Sequence, residues 1–380
     1  MKRFILPLLA VGCLLSGCSV FRQQNYISVT PHQAQSVESD TESVSVSSYS
    51  QLEEAFADFV EDGTERVLLS VQNYDQSVLE HHLRSVINNI QIYHPIGAYA
   101  VDDIEYEMGT SGGQAAVSLQ ISYIHDRSEI RKIRKARDTE YACKLIKSAL
   151  DNCDAGIVIR IDDYQKLDFT QMVEDYVDAY PEKIMERPEV AVNIYPNNGL
   201  KDQIVELKFT YQTSRDSLRT MQKQVKDIFD SAKLYVSGDA EDRQKFAQLY
   251  SFLTERFDYQ IDTSITPAYS LLRHGVGDNK SFAVAYSAMC RLSGLECQIV
   301  NGTRDGNPWY WNMIKDGDRY FHVDLLRCME EGGFVERTDG EMSGYVWDYS
   351  AFPACSDDAP DVVESTEATG GDTTETTNPA

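Results

Sequence analysis

The chain has 380 residues, room for two or three domains, with 35 basic against 60 acidic side chains and a net charge of −25. So acidic a surface repels phosphate backbones and anionic headgroups, which argues against a nucleic acid partner. It holds eight cysteines, of which six (Cys143, Cys153, Cys290, Cys297, Cys328 and Cys355) lie beyond the first eighteen residues.

At the start, Lys2 and Arg3 precede an apolar run from Phe4 to Leu15, which ends in Leu15-Ser16-Gly17-Cys18. That run is too short for the ~20 residues a bilayer-spanning helix takes. A charged opening, a short apolar stretch and this tetrapeptide resemble a bacterial lipoprotein signal. The resemblance implies removal of residues 1–17 and a diacylglycerol on the Cys18 sulfur, with palmitate as an expected acyl group of the lipid. The mature chain would then sit on the extracytoplasmic face of the cell membrane, held by its lipid and otherwise soluble. An exported protein can form disulfides. Cys290 and Cys297 fall in apolar helix and strand patterns suited to buried thiols. The better candidates for bridges are Cys143 with Cys153 and Cys328 with Cys355.

Residues 18–48 read as a flexible tether, since Ser36 to Ser48 alone contains six serines and three acidic residues. Residues 49–137 and 138–234 form a weak internal repeat. The first copy has a helical stretch from Val78, a strand from Pro95 to Tyr106, a strand from Ala116 to Tyr123, and a closing helix from Ser128 to Lys135. The second copy has a helical stretch from Gln171, strands Pro188–Tyr195 and Gln203–Tyr211, and a closing helix capped by Ser214. Further strands at Glu65–Val71 and Ala155–Ile161 precede each copy. Alternating apolar and polar residues in these strands give a sheet with one buried face. The expected class is α+β: two small tandem modules with antiparallel sheets, then a third domain over 235–355. That domain should place a helix on an antiparallel sheet. Ser356 to Ala380 carries seven acidic residues and no basic one, and reads as a disordered tail.

The third domain opens with an amphipathic helix, capped by Ser237 or Asp239, that carries Phe246, Leu249, Tyr250, Leu253 and Phe257. Next comes Ala268-Tyr-Ser-Leu-Leu-Arg-His-Gly-Val-Gly-Asp-Asn279-Lys-Ser-Phe-Ala283, a helix from Asn279 closed by Gly294, and a strand from Leu295. Trp309-Tyr310-Trp311-Asn312 and Tyr320-Phe-His-Val-Asp324 flank Asp316-Gly317, a strong hairpin signal. These three blocks resemble the transglutaminase-like family, whose pattern is A-Y-S-x-L-x-x-G-x-G-V-C-x-G-Y-A, then H-A-W-N, then W-Y-x-V-D. The resemblance implies a papain-type core with a thiol nucleophile at a helix N-terminus, a histidine base on a facing strand and an orienting acid.

In this sequence the Cys position holds Asn279, the His position holds Trp309, and the acid survives as Asp324. An amide is no nucleophile, and Asn279 is expected as the helix N-cap. An indole nitrogen only donates, so Trp309 cannot act as a base; Asp324 is expected to accept its N–H. The reading is a degenerate triad, a pseudoenzyme with no cofactor. Trp309, Tyr310, Trp311 and Asp324 would form a non-catalytic site for an envelope peptide, glycan or protein, with core packing the plain alternative for the aromatics. Two other readings stand beside it: a cysteine-independent hydrolase or acyltransferase using Ser281 with His322, and a structural or assembly protein of the cell envelope. The His81-His82 pair lacks a ligand set with metal spacing, and no glycine loop is built for phosphate.

Overall fold

A computed structural model describes residues 43–260 and 267–356. The signal stretch, Cys18, the tether up to residue 42 and the tail from residue 357 lie outside the described residues. The first module runs β1 (Ser43–Ser45), α1 (Tyr49–Asp62), β2 (Arg66–Ser70), α2 (Leu79–Tyr93), α3 (Pro95–Ala100), β3 (Val101–Ser111), β4 (Gln114–Tyr123) and α4 (Arg127–Ile130). The second runs β5 (Arg134–Asp138), α5 (Thr139–Asp151), β6 (Gly156–Asp163), α6 (Phe169–Ala179), β7 (Glu189–Tyr195), β8 (Gln203–Thr210) and α7 (Arg215–Tyr235).

Both sheets have the same order, β1-β2-β4-β3 and β5-β6-β8-β7. In each, the first pair is parallel and the others are antiparallel. The repeat is therefore present, but its unit is larger than the sequence pattern shows. Each copy opens with a strand–helix–strand crossover, the connection that a parallel pair needs. The sheets are consequently mixed rather than purely antiparallel.

Three local expectations are corrected. Ser43–Ser45, assigned to the tether, pairs with Leu68–Ser70 and begins the first sheet. The stretch Ser128–Lys135 is not one helix. Asp126 rather than Ser128 caps the single turn α4, accepting from Glu129 N at 2.9 Å, and Arg134 onward becomes β5. The cause is tertiary: Ile130 belongs to the first module's core and Ala136 to the second's, and one straight helix cannot serve both. Pro95–Ala100 turns as α3, with Pro95 in its first turn and His94 accepting from Gly97 N at 3.2 Å. There α3 crosses α2 so closely that a Cβ on Gly97 would stand 2.1 Å from the Ile90 carbonyl oxygen.

The modules are joined. Ile204, Val158 and Tyr195 of the second sheet pack into the first module's core. Arg160 binds Asp202 at 2.8 and 3.0 Å and also Glu61 of α1.

The third domain comprises α8 (Asp242–Thr254), β9 (Asp258–Tyr259), α9 (Pro267–His274), β10 (Val276–Gly277), α10 (Asn279–Leu292), β11 (Cys297–Arg304), β12 (Asn307–Asp316), β13 (Arg319–Val323), α11 (Leu325–Glu331) and β14 (Tyr345–Trp347). Glu241, without a side-chain bond, rather than Ser237 or Asp239, precedes α8. The sheet order is β13-β12-β11-β14, antiparallel throughout. Helix α10 lies against this sheet and buries Phe282, Ala285, Tyr286, Met289 and Cys290, the face its periodicity marks. Its Tyr286 hydroxyl donates to the Phe246 carbonyl at 2.9 Å. Leu218, Val225 and Phe229 of α7 enter the same core, so the helix ending the second module also roofs the third domain.

The strip from Tyr345 to Cys355 folds back, packing Trp347 and Cys355 with Trp311 and Met313. All six cysteines of the described residues are free thiols. The two bridges expected from the sequence are absent because their members serve different cores. Cys143 packs on the second module's core and Cys153 in the third domain's; Cys328 lies in the large core and Cys355 in the small one. Among the described residues no helix is long and apolar enough to cross a membrane.

Candidate functional site

The N-terminus of α10 sets the site. A cap residue needs extended backbone, and here Asp278 supplies it with φ −85° and ψ −178°. Its carboxylate accepts from Ser281 N at 2.8 Å and from Ser281 Oγ at 2.6 Å. Asn279 is thus the first helical residue and not the cap. The chain reaches this turn through Gly277, where a Cβ would stand 2.7 Å from that of Ser281.

Facing it, β12 alternates its side chains. Tyr310 and Asn312 turn toward α10: Lys280 Nζ sits 5.2 Å above the Tyr310 ring, and Asn312 Nδ2 donates to the Ala283 carbonyl at 2.9 Å. Trp309 and Trp311 turn the other way. Trp309 Nε1 donates to Asp324 Oδ2 at 2.8 Å, the bond expected from the sequence. Trp311 Nε1 donates to His322 Nδ1 at 3.0 Å.

Asp324 is 1% exposed and surrounded by donors. Besides Trp309 it accepts from the Tyr345 hydroxyl at 2.6 Å, Leu326 N at 3.1 Å and Arg327 N at 3.3 Å, and Arg304 stands 3.7 Å away. It caps α11 and ties β12 to β14. Burial, then the charge of Asp324, pushes the Tyr345 hydroxyl pKa well up, so it remains a donor. Where a catalytic acid keeps a lone pair for an imidazole, this one gives it to an indole.

Ser281 and His322 are not brought together. Ser281 is fully buried and spends its hydroxyl on Asp278. His322 is fully buried as well. Because an indole can only donate, His322 Nδ1 must be bare, so Nε2 carries the proton and donates to Asp339 Oδ1 at 2.9 Å. Burial pushes its pKa down, keeping the ring neutral. Neither nitrogen is available as a base.

The cleft between Asn279, Tyr310, Trp311, Asn312, Asp324 and Leu325 leaves 0 Å³ for a water-sized sphere. The second module closes over α10: Lys280 pairs with Asp178 at 2.7 Å and Arg291 with Glu182 at 2.8 Å. Of the four residues expected to line a binding cleft, Trp309 lies outside it beneath Arg304, 5.3 Å from its ring. Trp311 is 1% exposed in the small core, and Asp324 is saturated. Tyr310 and Trp309 keep partial exposure, and of the two only Tyr310 lines the cleft. The aromatics pack because each indole finds an acceptor inside.

Within the described residues one trio has metal-ligand spacing: His322, Asp339 and Cys355, whose ligand atoms lie within 4.8 Å of one another. Its chemistry is that of a clamp. His322 Nε2 already carries its proton, and burial holds the Cys355 thiol up at about 12. Cys355 N donates to Asp339 Oδ2 at 3.1 Å and Asp339 N to the Cys355 carbonyl at 2.7 Å, which pins the returning strip. A ligand histidine would donate its other N–H outward, and here Nδ1 accepts instead.

Sequence reasoning missed Asp278, Tyr345, Arg304 and Asp339. Asp278 had a signal, an Asp three residues before Ser281 at a helix start. The other three have none, being distant along the chain from what they touch.

Residues 230–325 match the family model of the transglutaminase-like superfamily. The chain therefore carries a transglutaminase-like domain, set in a mixed α+β fold. Among solved structures it is similar to a TGase, at 11% identity and TM-score 0.25 over 45% of this chain and 50% of that one, so it spans half that chain's length. It is also similar to a provisionally assigned cysteine protease from Cytophaga hutchinsonii, at 13% identity and TM-score 0.25 over 42% of this chain and 70% of that one. A third, a provisionally assigned protease from Parabacteroides distasonis, has 10% identity and TM-score 0.21 over 72% of this chain and 44% of that one. No curated protein matches the chain.

Proposed function

We propose that this is a lipid-anchored extracytoplasmic protein whose transglutaminase-like domain does no acyl-transfer chemistry and works as a binding scaffold at the cell envelope. The observation that carries this reading is the bond from Trp309 Nε1 to Asp324 Oδ2. It fills the base position with a group that cannot take a proton, and it consumes the surviving acid. Asn279 supplies no thiol, and the closed cleft supports a role through surfaces outside it. The lipid at Cys18 rests on the leader pattern alone.

The test uses the soluble chain from Ser19 onward, peptide-amide substrates with an amine acceptor, and electrophilic probes read by intact mass. The expected result is no turnover and no labelled residue, with Asn279→Cys still inactive for want of a base. Turnover that disappears in Ser281→Ala would overturn the reading. Anchoring is tested separately, since Cys18→Ala in the full chain should move the protein from the membrane fraction to the soluble one.

A further inference from the structure

A groove lies away from the α10–β12 cleft, at the junction of the two repeated modules. Its volume is about 750 Å³, within the range of small-ligand sites. One wall is module 1, with Tyr99 and His125 stacked at 4.2 Å between ring centres. The other is module 2, with α5 and the β6 and β8 strands.

Its charges do not cancel locally. Three carboxylates line it and each is engaged: Glu129 with Asp126 N at 3.0 Å and His125 at 3.7 Å, Asp154 with Arg215 at 2.6 Å, and Glu206 with Lys208 at 3.2 Å. Lys132 and Arg134 line it too and have no ion-pair partner among the described residues. They sit in the most basic stretch of an acidic chain, since residues 127–137 contain six Lys or Arg and one Glu. A net charge of −25 makes two unpaired cations facing a concavity an unusual arrangement. The Tyr99 hydroxyl, also without a hydrogen-bond partner among the described residues, and the Ser148 and Asn152 side chains add groups suited to sugar hydroxyls.

We propose that this groove binds an oxyanion-bearing glycan, with its phosphate or carboxylate held by Lys132 and by the forked guanidinium of Arg134. The guanidinium geometry favours two parallel bonds to such a group. A concave site rimmed by paired acids takes one chain end and does not suit a flat anionic membrane, which the rest of the surface repels. The site belongs to the modules and stands or falls independently of whether the third domain catalyses.

The experiment is calorimetric titration of the chain from Ser19 onward with three probes: a short poly(glycerol phosphate), a tetragalacturonate and neutral maltotetraose. Binding of the first or second and not the third is expected, weakening as salt rises. Whichever charged probe binds identifies phosphate or carboxylate as the recognised group. Lys132→Glu with Arg134→Glu should weaken it at least about tenfold with the melting temperature kept, because both side chains are exposed. Lys135→Glu with Arg137→Glu, on the same stretch but off the groove, should leave it unchanged. The proposal is overturned by no saturable binding of either charged probe, by equal losses in the two variants, or by capture on phosphatidylglycerol vesicles only.

Discussion

Replacing Asp324 by alanine tests whether this carboxylate is a structural hub. Four donors point at it: the Trp309 indole, the Tyr345 hydroxyl and the amides of Leu326 and Arg327. Losing a helix cap costs about 1 kcal/mol. Leaving a buried hydroxyl and a part-buried indole N–H unpaired costs about 1–3 kcal/mol each. Relief of the buried charge's own desolvation offsets part of this. The net loss expected is about 3 kcal/mol, a large part of the roughly 5–15 kcal/mol that a domain has. Asp324→Asn should lose about 2 kcal/mol, since its amide would set an N–H₂ against groups that are all donors. Urea unfolding at neutral pH reads this as a lower midpoint at constant m-value. Tyr345→Phe supplies the control: paired with Asp324→Ala, it should cost less than the sum of the single changes, by about 1 kcal/mol. A loss below about 1 kcal/mol for Asp324→Ala, with no coupling to Tyr345, would refute the hub.

Two further outcomes follow from buried groups. Burial lowers the pKa of His322, with Asp339 opposing, and of His94, with Glu61 and Asp202 opposing and Arg160 reinforcing. The unfolded chain, whose histidines titrate near about 6.5, then binds more protons than the native one once the pH drops below that value. Stability from these residues is present above about pH 6.5 and is lost as the pH falls toward 5, at most about 1.4 kcal/mol per pH unit for each histidine. Urea midpoints that stay flat between pH 7 and 5 would contradict this, and His322→Asn should shallow the slope. The chain from Ser19 onward, denatured without reductant, should titrate six thiols. In the native state Cys290 and Cys355 should react slowest, because burial raises both pKa values. Four thiols or fewer in the denatured chain would restore a disulfide to the fold.

What the sequence settled by itself was what short-range chemistry decides. Periodicity marked the buried face of α10, Gly294 closed it, Ser214 capped α7, and Asp316-Gly317 turned the β12–β13 hairpin. Each depends on residues within a few positions of one another, where backbone preferences are read directly. Residue type alone also showed that Asn279 cannot attack and that Trp309 cannot accept a proton, and the three motif blocks placed the family. Tertiary structure decided whatever turns on residues far apart. Only packing against two separate cores shows why Arg127–Asp138 breaks into a turn and an edge strand. Only the return of the C-terminal strip gives Asp324 its Tyr345 and His322 its Asp339. Only the packing of β12 and the start of α11 against α10 closes the cleft, and only the meeting of two modules opens the groove beside Lys132 and Arg134. Chain distance hides such contacts, because nothing in a linear pattern tells which buried donor will find which acceptor.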